Sequence, residues 1–177
     1  MVKRMAGLKR TTPDLSGYPD LVVIYLGMRV LNLRGLRTIR RVGKEIRRSL
    51  EEAPDGLLRH ENITFSTFPL HIGMRQYWRN LGALERWTRS GIHREWWSTY
   101  LRDPAGTAFW HETYFIGGGM EAIFVDVPGP LGMLAFAPEM TARGPMFSAR
   151  SRARQSGATA VDEAPTPVIA EDDLERV

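Results

Sequence analysis

The chain has 177 residues, 43% apolar and 10% aromatic, enough to bury one core of ordinary size. It contains no cysteine, which excludes disulfides, thiolate metal sites, iron–sulfur clusters and cysteine nucleophiles. The formal net charge is +4, and arginines crowd between Arg29 and Arg48 against a single acid, Glu45; that stretch reads as the solvated side of a helix.

No apolar run has the length of a signal-peptide core or of a membrane span, so a cytoplasmic protein without a membrane partner is expected. Residues 1–19, broken by Pro13, Gly17 and Pro19, read as an N-terminal arm. The nearly continuous apolar run LVVIYLGMRV at 21–30 predicts a strand buried on both faces. From Leu33 to Ala53 apolar residues recur every three or four positions, which predicts an amphipathic helix with a basic outer side. The turn Pro54-Asp55-Gly56 then opens a strand over 57–66, and a third strand is predicted at 74–79.

Leu81, Leu84, Trp87, Ile92, Trp96 and Tyr100 trace the apolar arc of a second helix, over 81–101. His93 sits at the border of that arc, with Trp97 one turn on. Asp103-Pro104-Ala105-Gly106 ends this helix, and residues 107–116 predict a fourth strand carrying Trp110 and His111. A further strand is expected at 120–127, followed by a strand or docked segment at 131–137. Residues 149–177, rich in Arg, Ser, Ala, Asp and Glu, are expected to form a disordered tail.

The order β-α-β-β-α-β is that of an α+β, ferredoxin-like split β-α-β unit, placed at 20–148. With the helices on Ile24, Leu26, Met28, Ile63, Phe65, Met74 and Trp78, the opposite face would carry Tyr25, Arg29, His60, Asn62, Tyr77 and His111. That face is too aromatic for water and too polar for a core. Two sheets packed across it would make a dimeric barrel around a semi-polar cavity, and such cavities take small ligands. The assignment leaves Glu112 pointing towards the helices. No metal site is expected, because His60 and His111 lack further ligands at a metal-binding spacing. The third strand lacks the glycine-aromatic pattern of an RNA-recognition domain, so no nucleic-acid partner is expected.

Over about residues 14–150, the phrases DLVVIYLGMRV, PDGLLRHE, GMRQYWRNLGALERW, FWHETYF and GGGMEAI resemble a family of small monooxygenase-like proteins. That family belongs to the dimeric α/β-barrel superfamily, which also holds the antibiotic-biosynthesis monooxygenases, and its members occur in secondary metabolism, one of them in a pathway of the fumagillin type. The resemblance implies a homodimeric oxidoreductase acting on a hydrophobic small molecule with O₂. In a cofactor-free reaction of this kind His111 would be the general base, with Tyr77 and Arg29 orienting or stabilising the anion and Tyr25, His60, Asn62, Trp97 and Trp110 lining the pocket.

A shorter stretch, residues 77–125, resembles the C-terminal half of haem-dependent aldoxime dehydratases through LERWTRSGIH and FWHETYF. It implies haem ligated by His93, with His111 as the distal acid–base group. The chain is about half the length of those enzymes, and FVDVPG replaces their polar motif. A third expectation is a non-catalytic protein that binds a ligand in the same cavity.

Overall fold

The apolar run near residue 21 folds as strand β2 (Val22–Val30) in a computed structural model that describes residues 9–89, 100, 103–117, 119–125 and 132–157. Helix α1 (Leu33–Glu51) follows it. Asn32 caps α1, its side chain accepting from the Arg34 N–H at 3.0 Å and satisfying one of the donors a helix start leaves free. Strand β3 (Leu57–Thr67), strand β4 (Leu70–Trp78), helix α2 (Leu81–Thr88) and strand β5 (Thr107–Phe115) complete the split β-α-β order. Asn80 caps α2 through the Ala83 N–H at 2.9 Å. The four strands pair antiparallel in the order β3-β4-β2-β5. This is the ferredoxin-like α+β arrangement read from the sequence.

Close approach of backbones fixes α1 against the start of β5. A Cβ on Gly35 would lie 2.2 Å from the Gly106 carbonyl oxygen, so only glycine fits there. Thr38 donates its hydroxyl to the Ala105 carbonyl at 2.8 Å, and Arg34 pairs with Asp103 at 2.5 Å.

The apolar core on the helix side is divided. At one end α2 packs on the sheet through Val22, Ile24, Trp78, Ala83 and Leu84; at the other α1 packs through Met28, Ile39 and Val42, joined by Tyr100. These buried contacts are the main stabilising term of the unit.

Several boundaries differ from the sequence reading. β4 begins at Leu70 rather than Met74, because it pairs with β3 as a hairpin right up to its turn. The described part of the second helix ends at Thr88; residues 90–99, including His93, Trp96 and Trp97, lie outside the described residues.

The contacts divide the chain into residues 20–115 and a second unit of residues 1–19 with 116–177. In the second unit, strand β1 (Arg10–Pro13) is the centre of a three-stranded antiparallel sheet between β6 (Phe124–Val125) and β7 (Glu139–Thr141). Residues expected as an arm thus supply its middle strand. The fifth strand expected at 120–127 is reduced to β6, and the segment expected at 131–137 holds a 3-10 helix over Gly132–Ala135. Helix α3 (Ala149–Gln155) replaces the start of the expected tail. Arg152 anchors it, 6% exposed, donating from Nε to Glu121 at 2.9 Å and from Nη1 to the Met146 carbonyl at 3.1 Å. An arginine with such partners orders a polar segment that composition alone reads as loose.

Candidate functional site

Strand register decides which side chains share a face, since alternate residues point to opposite sides. On the helix side, Asn62, Met74, Leu26 and His111 form one row across the four strands. The next row is His60, Gln76, Ile24 and Thr113. The sheet therefore offers the helices an apolar floor with polar pairs at both edges, His111 and Thr113 on β5, His60 and Asn62 on β3.

A cavity of about 500 Å³ lies over this floor. Leu26, Met28 and Met74 form its base, Val42 and Ile46 of α1 and Leu84 of α2 its helical walls, and His111 and Thr113 its β5 side. Its lining includes Ile24 and Leu84 of one core cluster and Met28 and Val42 of the other. Its volume is that of a small-molecule pocket. A second cavity of about 60 Å³ shares Leu26, Met28 and Met74 with it and is bounded by Asn62.

The His111 side chain is partly open to solvent, and the burial of the rest lowers its pKa below the ordinary value of 6.5. Its Nε2 lies 3.3 Å from the Thr113 hydroxyl. A hydroxyl both donates and accepts, so Thr113 can serve imidazole with or without its proton. Two carboxylates, Glu45 and Glu85, also border the cavity, and Glu85 is paired with Arg89 at 3.3 Å.

On the β3 edge the polar groups form a directed chain. Trp78 Nε1–H donates to Gln76 Oε1 at 3.1 Å, Gln76 Nε2 lies 3.2 Å from His60 Nδ1, and His60 Nε2 lies 3.1 Å from Asn62 Oδ1. Gln76 and Trp78 are fully buried, and burial lowers the His60 pKa ahead of the opposing hydrogen bond to Asn62.

The face assignment read from the sequence is therefore corrected. His60, Asn62 and His111 lie on the helix side, whereas Ile63 and Phe65 lie on the other. Tyr25, Arg29, Tyr77 and Trp110 face away from α1 and α2, and Glu112 stands opposite Tyr25 there, donated to by the Tyr114 hydroxyl at 2.5 Å. Tyr77 and Arg29 consequently cannot act with His111 on one bound molecule, nor can Tyr25 or Trp110 line its pocket. A cavity between helices and sheet of one chain, which the sequence reading did not expect, is what the described residues show. Thr113 was missed as a site residue although it lies two positions from His111 on β5, on the same face; that this face is the helix side follows only from the strand register.

The far face has its own organisation. Arg75 donates to Glu61 Oε2 from Nε at 2.9 Å and from Nη2 at 2.6 Å, and to the Tyr25 hydroxyl at 2.8 Å. Its guanidinium also lies over the ring of Tyr77. Burial pushes the Tyr77 phenol up to about 12. Phe65, His71 and Trp110 cluster further along, and Trp110 Nε1–H donates to His71 Nε2 at 2.8 Å.

Among the described residues no group of His, Asp and Glu could hold a metal ion. Haem is tested by the same lining. One imidazole faces the cavity, and the charged groups there are carboxylates, with no described cation among them for haem propionates. Among the described residues this donor set does not make a haem site; His93, the ligand implied by resemblance, lies outside the described residues. No described helix is long and apolar enough to cross a membrane.

Residues 21–133 match the model of the family described as Monooxygenase af470-like. No curated protein matches the chain. Among solved structures, an aldoxime dehydratase in complex with butyraldoxime aligns over 85% of this chain and 43% of its own, with TM-score 0.62 and 17% identity. Another aldoxime dehydratase aligns over 75% and 39%, with TM-score 0.56 and 20% identity. The chain thus spans less than half the length of these two enzymes. A candidate antibiotic biosynthesis monooxygenase from Deinococcus radiodurans aligns over 52% and 89%, with TM-score 0.43 and 17% identity. At these identities the likeness concerns the fold.

Proposed function

Because the chain belongs to the Monooxygenase af470-like family, we propose that it is a monooxygenase-like oxidoreductase that takes a hydrophobic small molecule into the helix-side cavity. The observation that carries this reading is the imidazole of His111, directed into an apolar cavity with its pKa lowered by burial. A neutral imidazole near neutral pH is a general base.

In the proposed reaction His111 removes a proton from an acidic C–H or O–H of an electron-rich substrate. The anion then gives electrons to O₂. A CH₂, or the CH para to a phenolic hydroxyl, becomes C=O, and the second oxygen atom leaves with two hydrogens as water. The substrate supplies all the electrons, so no other reductant enters the balance. Thr113 follows the proton on the imidazole by exchanging the roles of donor and acceptor. Glu45 at the cavity edge disfavours a permanently anionic ligand, and a neutral substrate follows. The physiological setting would be secondary metabolism.

Oxygen uptake with a panel of electron-rich phenols tests the activity. Uptake stoichiometric with product, and absent without protein, supports it; ligand binding without uptake for every bound compound would leave a non-catalytic binding protein. We also propose that two copies pair through the sheet face away from α1 and α2, where Phe65 and Tyr114 are 42% and 50% exposed. Sedimentation as a monomer at micromolar concentration would end the dimer proposal.

A further inference from the structure

The hydrogen-bonded chain on the β3 edge has only one possible direction. Indole N–H donates and never accepts, so the Gln76 oxygen must face Trp78. The Gln76 amide nitrogen must then donate to His60 Nδ1, which requires the proton of a neutral imidazole to sit on Nε2. That proton goes to Asn62 Oδ1. Every orientation is set in turn from the buried Trp78 outward, and the Asn62 amide is left with its NH₂ group as a donor.

Asn62 borders the smaller cavity, whose walls Leu26, Met28 and Met74 also bound the larger one. Asn62 and His111 stand at opposite ends of one row, separated by Met74 and Leu26. Three interstrand steps of about 4.8 Å place the two ends roughly 14 Å apart. The two cavities share Leu26, Met28, Val42, Ile46 and Met74, so apolar side chains line the space between His111 and the exposed Asn62.

We propose that Asn62 is a specificity-determining residue whose oriented NH₂ group binds a carbonyl or ether oxygen at the far end of an elongated, neutral, hydrophobic substrate, while His111 addresses the acidic proton at the near end. Gln76 and His60 are positioning residues that hold the amide. A donor fixed before binding loses little orientational freedom when the ligand arrives, which favours affinity. This inference rests on the helix-side cavity being the substrate site.

The test uses two probes, 4-acetyl-4′-hydroxybiphenyl and 4-ethyl-4′-hydroxybiphenyl, which share a phenol and differ in the far acceptor. Binding is measured by calorimetry on the full chain. The wild type is expected to hold the acetyl compound about tenfold tighter than the ethyl compound. Asn62→Leu is expected to remove that preference, so that the acetyl compound no longer binds more tightly than the ethyl compound. Gln76→Met is expected to reduce the preference without altering affinity for the ethyl compound, a ratio that a merely structural role would not move. Equal affinities in the wild type, or a preference that survives Asn62→Leu, would overturn the role of Asn62 while leaving the cavity in place. Failure of both probes to bind, or binding undisturbed by Leu26→Trp across the cavity floor, would overturn the cavity reading and the inference with it.

Discussion

Trp110 gives its indole N–H to His71 Nε2 across 2.8 Å, directly above Gly27, on the sheet face turned away from α1 and α2. A Cβ on Gly27 would lie 2.6 Å from Trp110 Nε1 and 2.9 Å from His71 Nε2. Gly27→Ala is therefore expected to destabilise the protein by about 1–3 kcal/mol through overpacking. Urea denaturation measures it, and adding Trp110→Phe, which has no indole nitrogen, should recover part of the loss. An unchanged midpoint in the single variant would show that the pair does not constrain the glycine.

His111→Ala should lower turnover by about 10²–10⁴-fold, the usual range for removing a general base. Its side chain reaches solvent, so the thermal midpoint should move little. Steady-state kinetics beside a melting curve separates the two effects. Full turnover in a folded variant would remove His111 from the chemistry.

The order of elements was legible in the sequence, and the faces were not. The continuous apolar run at β2 and the recurrence of Leu36, Ile39, Val42 and Ile46 in α1 state their structures directly, because burial of a regular element imposes its period on the sequence. Which edge residues share a row depends on pairing register, a property of two segments at once. β3 has irregular pairing between Leu57 and Arg59 and again between Thr64 and Ser66, so alternation along one strand cannot be carried across to β4. Glu112 held the warning, since the sequence reading turned its carboxylate towards the helices without a partner. Reversing β5 sends Glu112 to Tyr114 and brings His111 into the cavity.

The pH dependence follows from the two depressed imidazoles. Burial lowers the pKa of both His111 and His60 below 6.5, so the folded state favours the neutral rings. As pH falls below 6.5 the unfolded chain takes up these protons first. The associated stability is therefore whole above 6.5 and is lost as pH falls through the folded values. Chemical denaturation across this range should show the acid loss, reduced in His60→Asn and in His111→Asn. The same shift places the acid limb of kcat/KM below 6.5; a limb above that value would contradict His111 as the base.

The visible spectrum of protein purified from haem-supplemented cells, recorded beside His93→Ala, is expected to lack a Soret band. The described cavity lining motivates this outcome, because its charged groups are the carboxylates Glu45 and Glu85 and it includes no described cation to pair with haem propionates. A Soret band that shifts or vanishes in the variant would establish a haem protein and displace the cofactor-free reaction.

Division of the helix-side core has an evolutionary consequence. Val22, Trp78 and Leu84 at one end and Met28, Ile39 and Val42 at the other hold the helices down, whereas His111, Thr113 and Asn62 belong to neither cluster. Selection on ligand choice can therefore explore those edge positions without eroding the folded state. Related chains could diverge in what they accept while their scaffolds stay interchangeable.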